Sequence, residues 1–265
     1  MFSIEIECPP DETGLLIADL SEAGAAGIVE LSDTRLRAFF ADDQARNGIA
    51  GRFHAVTSRL EEQRDWVAES RANWEPMLIG SRFFLVPEWR DDPAQDGRFR
   101  IVVNPGMAFG TGRHETTQLC LEALETYVRS GEPMLDIGTG AGILARGAVL
   151  LGATPVWASD IDPDAVEVSR LNLLPNLFIG SANAVRSRSA AILTANISPE
   201  AILTLAPDLL RCLRPDGVAL LSGFEGWNVP AVEAALASLG ARIIETRHKN
   251  EWALLAVGVT LDGGN

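Results

Sequence analysis

Leu135-Asp136-Ile137-Gly138-Thr139-Gly140-Ala141-Gly142, followed by Trp157-Ala158-Ser159-Asp160-Ile161-Asp162-Pro163, is the stretch that decides the fold. The order is an apolar strand, a glycine turn, a helix and a second strand ending in an acid, which is a nucleotide-type site on a parallel sheet. Gly138, Gly140 and Gly142 let the backbone approach a ligand closely, because a Cβ at any of them would fill the space the ligand needs. Position 143 is Ile, so the G-x-G-x-x-G spacing of a pyrophosphate cradle is not met. A dinucleotide sets a doubly charged pyrophosphate on the helix N-terminus, whereas S-adenosylmethionine brings a small zwitterion and needs no such cradle. The turn therefore points to a methyl donor rather than to NAD. A tight strand-to-helix turn with a solvated acid would need no ligand at all. Against that stands the position of Asp160, about 20 residues beyond the first glycine at a strand end, where a carboxylate accepts both ribose hydroxyls.

Composition narrows the class. With 265 residues, 47% apolar and 22% charged, the chain has room for one large folded domain and a small one. No stretch approaches 18 uninterrupted apolar residues, and the start Met1-Phe2-Ser3-Ile4-Glu5-Ile6-Glu7 has neither a basic nor an apolar leader region, so a cytoplasmic protein away from the membrane is expected. The three cysteines, Cys8, Cys120 and Cys212, are widely spaced and odd in number, which supports neither a disulfide framework nor a zinc site. A formal charge of −14 argues against direct nucleic-acid binding, which rests on Lys and Arg contacts to phosphate. A basic protein partner suits this charge, which also serves solubility. The chain is expected to act as a monomer.

Alternation over 2–6, a helical stripe over 11–23 and short extended pieces at 27–31, 36–40 and 53–57 predict a small N-terminal α/β domain, residues 1–56. Residues 60–73 are charged and free of Gly and Pro, which reads as a helix within a linker, 57–95. The turn-rich run Asp91 to Gly97 precedes the main domain, 96–265. From Met134 onward strands and helices alternate: strands at 134–137, 155–160, 177–179, 190–195, 217–222, 242–247 and 252–259, helices at 165–171, 200–213 and 229–239. Asp162 before Pro163 is a helix start. Only Lys249-Asn250-Glu251 joins the last two strands, too few residues for a helical crossover, so they pair as a hairpin. The fold class is α/β: a seven-stranded, mostly parallel Rossmann-like sheet with an antiparallel last strand, preceded by the small domain.

Upstream of the glycine turn stands Asn104-Pro105-Gly106-Met107-Ala108-Phe109-Gly110-Thr111-Gly112-Arg113-His114-Glu115-Thr116-Thr117, opening a helix that runs through Tyr127. Free N–H groups and Thr hydroxyls at such a start suit a carboxylate. His114 reads as a turn residue and not a metal ligand, since His54 and His248 show no ligand spacing with it and no metal site is expected.

At these residues the chain resembles the bacterial ribosomal protein L-eleven methyltransferase family. The likeness continues through Asp136 to Ala145, Asp160-Ile161-Asp162-Pro163, Ala195-Asn196-Ile197, Ser222-Gly223 and Glu251-Trp252. Upstream, Asp65-Trp66, Trp74 through Pro76 and Pro87-Glu88-Trp89 are similar to the family's linker, so it spans roughly residues 60 to 260. The resemblance implies a methyltransferase sheet, S-adenosylmethionine as donor, and donor contacts at Thr117, Gly138, Asp160 and Asn196, with Gly140 and Gly142 completing the turn. It also implies a ribosomal protein substrate recognised by the N-terminal domain. Departures fall at Arg113, Glu115, Thr139, Ala141 and Ser198, and the segment between Asn172 and Asn196 is short.

Methyl transfer from a sulfonium is an in-line displacement, so an enzyme chiefly aligns the nucleophile and excludes water. Asn196, at the end of the fourth strand, is the candidate catalytic residue, its amide oxygen and backbone carbonyl orienting an amine. Phe109 and Trp227 are candidates for an apolar acceptor wall, though each is also a common packing residue. Another protein or small-molecule acceptor, or a donor-binding interaction protein, stays open at this point.

Overall fold

The computed structural model describes residues 2–9, 13–25, 27–32, 34–40, 55–60, 74–94, 97–104, 112–171 and 176–259. The helix expected within 60–73, the motif segment 105–111 with Phe109, and Asp65-Trp66 lie outside them. The chain divides into two compact units, Met1–Trp74 and Glu75–Asn265.

In the first unit, β1 (Phe2–Glu7), β2 (Gly27–Ser32), β3 (Arg35–Phe40) and β4 (Ala55–Leu60) form a sheet in the order β2-β3-β1-β4, with α1 (Thr13–Glu22) between β1 and β2. Alternation sets the core: Ile4, Ile6, Leu36, Ala38 and Phe40 point inward and meet Leu16 and Leu20 of α1. On the other face, Arg37 pairs with Glu5 across the β1–β3 register. Because β4 pairs with β1 as far as Leu60, this unit continues past residue 56, and the strand occupies the position where the sequence suggests that the linker helix begins.

The second unit opens with three strands, of which patterning reveals only the extended run 99–103 after the turn-rich stretch. β5 (Met77–Ile79), β6 (Phe83–Pro87) and β7 (Phe99–Val103) make a three-stranded sheet, β6 and β7 running parallel. The second compact unit thus begins at Glu75, within the stretch read from sequence as a linker. β6 is buried along its whole length, and a short run buried on both faces carries no period to read. Then follow α2 (Glu115–Tyr127), β8 (Met134–Ile137), α3 (Ile143–Leu150), β9 (Val156–Asp160), α4 (Pro163–Leu171), β10 (Leu177–Ile179), β11 (Ala190–Asn196), α5 (Pro199–Cys212), β12 (Leu213–Glu225), α6 (Val229–Ser238), β13 (Ala241–Lys249) and β14 (Trp252–Val259).

Their seven strands lie in the order β10-β9-β8-β11-β12-β14-β13. β8 to β12 are parallel, and β14 enters antiparallel between β12 and β13. The expected seven-stranded sheet with a reversed last strand is thus present. Helix α5 and the β11–β14 surface build an extended apolar cluster, including Leu193, Ala195, Leu209, Leu221, Leu255 and Val257. Helix α2 packs Leu119, Cys120, Ala123 and Leu124 inward, and polar links from Tyr127 to Glu245 and from Lys249 to Glu122 tie it to β13. Its Glu125 carboxylate accepts the Ser81 and Arg82 N–H groups and the Ser81 hydroxyl, fastening the β5–β6 turn. No helix among the described residues is long and apolar enough to cross a membrane.

Candidate functional site

Strand order reverses between β8 and β11, and in an open α/β sheet the crevice outside the strand ends at that point is where ligands bind. Ile137 lies opposite Ser159 on one side and Ala195 on the other, so Gly138, Asp160 and Asn196 leave the sheet at one level.

The glycine turn is built as the sequence requires. Gly138, Gly140 and Gly142 have φ of 72°, 53° and 81°, in the left-handed region that side chains avoid. The Gly138 and Thr139 N–H groups donate to the Ser159 carbonyl at 2.9 Å, and the Ser169 hydroxyl of α4 donates to the Gly140 carbonyl at 2.7 Å. Asp160 accepts the Gly140 N–H at 2.9 Å and the Asp162 N–H at 3.1 Å. A carboxylate has about four lone-pair sites. Two backbone bonds therefore fix Asp160 in place and leave capacity for further donors. Asp162 in turn accepts the Asp164 N–H at 2.9 Å, as expected of the residue that starts α4.

On the other side of β8, the Asn196 amide Nδ2 donates to the Thr117 hydroxyl at 3.4 Å. Two candidates 79 positions apart in sequence are thereby brought together. Among the described residues nothing donates to the Asn196 Oδ1, which is left available. Thr116, by contrast, serves the helix start. Its hydroxyl lies 2.8 Å from His114 Nδ1, and its N–H donates to the same nitrogen, making His114 the N-cap of α2. The His114 ring also stands edge-on to Trp252 at 4.5 Å between centroids. His114 is a structural turn residue, and among the described residues no group of His, Cys, Asp and Glu could hold a metal.

Ser222 and Gly223 carry no role that sequence alone reveals, and the structure supplies one. A Cβ on Gly138 would stand 2.3 Å from the Ile197 side chain, and one on Gly223, at φ 98°, 2.2 Å from the Ile197 carbonyl. The residue next to Asn196 is thus lodged between two glycines, while its N–H donates to the Ser222 carbonyl at 3.1 Å. That fixes the direction in which β11 leaves the sheet, and with it Asn196.

Asp136 is a functional support that sequence reasoning misses. It is buried directly beneath the turn, where the hydroxyls of Thr139 and Thr194 donate to its two oxygens at 2.6 and 2.5 Å. Burial pushes its carboxyl above the ordinary range, and those hydroxyl bonds pull the other way. Burial likewise raises the Cys120 thiol, with the nearby Asp136 adding to the effect.

The departures from the family pattern have local reasons. Glu115, held below its usual carboxyl range by its own backbone N–H and then by Asn250, accepts the Asn250 amide at 3.0 Å. Thr139 is the hydroxyl on Asp136, and Ser198 caps α5 by accepting the Ala201 N–H at 3.3 Å. Trp227 is 74% exposed, so it is not a packing residue, and its indole N–H is held by the Glu225 carboxylate.

Comparison with known proteins identifies relatives of the whole chain. Residues 28–259 match the model of the family described as ribosomal protein L11 methyltransferase (PrmA). A ribosomal protein L11 methyltransferase of Pelobacter propionicus is 33% identical over 297 residues, covering 95% of this chain and 96% of that protein. One of Geobacter metallireducens is 40% identical over 206 residues, covering 76% of this chain and 67% of that protein. The crystal structure of ribosomal protein L11 methylase from Lactobacillus delbrueckii subsp. bulgaricus is similar with a TM-score of 0.66 at 30% identity, covering 71% of this chain and 100% of that one. With the family model matched over most of its length and a relative matched almost end to end, the chain belongs to the ribosomal protein L11 methyltransferase family.

Proposed function

We propose that the chain transfers methyl groups from S-adenosylmethionine to amines of ribosomal protein L11, both Lys side chains and the N-terminal amine. The observation that carries this reading is the pairing of Asn196 with Thr117 beside the glycine turn, with Asp160 across β8.

The donor set fits S-adenosylmethionine. Asp160 has acceptor capacity for two ribose hydroxyls, the turn of Gly138, Gly140 and Gly142 lets a nucleoside approach the backbone, and the start of α2 at Thr117 offers its dipole to a carboxylate. When bound, the donor supplies a methyl on a sulfonium, ready for displacement.

The chain's own residues then position the nucleophile. Because Asn196 gives its amide hydrogen to Thr117, its Oδ1 is kept as an acceptor, and in this reading an incoming amine is oriented by donating to it. A Lys amine has a solution pKa of about 10.4 and attacks only when neutral, with its lone pair toward the methyl. An apolar entrance favours that form, and Trp227 is the exposed aromatic beyond the end of β12 available to line it. The net charge of −14 attracts a basic ribosomal protein, and the N-terminal unit is the part proposed to recognise it.

The test is methyl transfer from labelled donor to purified ribosomal proteins. Label is expected on L11. Asp160→Ala is expected to weaken donor binding by about 10-fold or more, the scale of losing hydrogen bonds to a charged group. Asn196→Ala is expected to keep donor affinity within a few-fold and to lower kcat by about 100-fold, the scale of losing a positioning contact. Label on no ribosomal protein would end the substrate assignment, and undiminished donor binding by Asp160→Ala would end the ribose assignment.

A further inference from the structure

A second concavity of about 840 Å³ lies away from the glycine turn, at the opposite ends of the strands, where Met134, Pro155 and Ala190 mark the starts of β8, β9 and β11. It follows from the short segment between Asn172 and Asn196. Consecutive parallel strands are ordinarily joined by a helix that covers one face of the sheet. Between β10 and β11 the connection holds only the 3-10 turn Ala182–Ala184 among the described residues. Trp157 is therefore 47% exposed, and with the partly buried Phe178 it lines the floor of the concavity.

Arg186, Arg188 and Arg214 stand around this floor. Arg214 is paired with Glu132 at 2.7 Å. Neither the Arg186 nor the Arg188 guanidinium has a partner among the described residues. The loop that presents them is tied down from below. The Arg211 guanidinium, held by Asp208, donates to the carbonyls of Ala182 and Val185 at 2.9 and 2.8 Å and to the Ser187 hydroxyl at 3.0 Å. The Arg188 N–H returns a bond to the Arg211 carbonyl at 2.9 Å. Arg188 itself is held at φ 53°, a conformation uncommon for any residue but glycine. Such local strain persists only where the surroundings enforce it, and it clusters at ligand clamps.

The chemistry of the concavity selects its ligand. Arginines without counter-charge gathered on an aromatic floor attract an anion, even in a chain of net charge −14. Guanidinium forks match pairs of phosphate oxygens, and an exposed indole matches a flat ring. The volume falls within the range of about 300–1,000 Å³ typical of small-molecule sites. We infer that this groove binds a nucleoside phosphate, its base on Trp157 and its phosphates on Arg186 and Arg188, independently of the methyl-transfer site. An acidic peptide would satisfy the arginines without a ring for the indole. An RNA strand would call for a basic track continuing beyond the groove, which the overall charge does not favour.

Calorimetric titration of the full chain with the mono- and triphosphates of adenosine, guanosine, cytidine and uridine tests this. S-adenosylhomocysteine is kept saturating throughout, so that no adenine enters the glycine-turn site. Binding is expected, weakened at least 10-fold by Trp157→Ala and by Arg188→Gly. Glycine suits φ 53°, so Arg188→Gly folds at least as well as the parent, and its methyl transfer is expected to stay within two-fold. Asp160→Ala is expected to leave nucleotide affinity unchanged. The inference is overturned if no nucleotide binds, if Asp160→Ala abolishes binding, or if Arg188→Gly leaves it intact. It is also overturned if inorganic tripolyphosphate binds as tightly as a nucleotide, or if single-stranded RNA or a polyglutamate peptide binds 10-fold more tightly.

Discussion

At the scale of single residues, the site depends on a few groups whose neighbours leave them one role each. Asn196 is oriented because its amide hydrogen is taken by Thr117, and it is placed because Ile197 is confined between Gly138 and Gly223. Asp136 is the buried counterpart. Its carboxyl is raised by burial in the folded chain, so the folded state holds its proton to higher pH than the unfolded chain does. The sign follows: its contribution to stability is present below the ordinary carboxyl range and is lost as pH rises through the raised value. Asp136→Asn removes that titration while keeping an oxygen that the Thr194 or Thr139 hydroxyl can reach. Urea unfolding between about pH 4 and 8 is expected to show a loss of stability with rising pH in the parent that is reduced in Asp136→Asn. A steeper loss in the variant would show that Asp136 is charged and stabilising as a carboxylate.

At the scale of elements, the sequence is most legible where chemistry and geometry coincide. The turn glycines, Asp160 at the end of β9 and the Ser198-Pro199 start of α5 each require a residue type that the conformation dictates, and each can be placed from sequence. The same holds for the hairpin of β13 and β14, whose connection is too short for anything else. What escapes is of another kind. β6 is buried on both faces and shows no period, and Ile197 gains its confinement from glycines on two other strand ends, a relation without a local signature. Asp136 stands out as an acid within an otherwise apolar strand, but only the fold brings Thr194 beside it. His114 is legible as a turn residue, though its cap geometry needs the structure. His114→Ala removes the acceptor for the Thr116 N–H and is expected to cost about 1 kcal/mol, the usual effect of losing an N-cap. His114→Asn, with a side-chain oxygen of good capping preference, is expected to restore most of it in thermal unfolding. Equal losses in both variants would assign the effect to the ring contact with Trp252 instead.

At the scale of the whole molecule, the two compact units hold separate sheets: the sheet at the glycine turn belongs wholly to Glu75–Asn265, and the four-stranded sheet to Met1–Trp74. A chain beginning at Glu75 is therefore expected to keep donor affinity within a few-fold, measured by calorimetry, and to lose most methylation of L11. Full methylation by this shorter chain would move substrate recognition to the larger unit. The place of β14 has a further consequence. It follows the other six strands of its sheet in sequence, yet it lies inside the sheet and joins β13 to β12. During synthesis, then, β13 waits without a strand to pair with, and His114 without its ring neighbour, until Trp252 and the residues after it leave the ribosome. Completion of the sheet is tied to translation through Val259, so a product terminated before β14 is left with an open edge at β12 and with β13 unpaired.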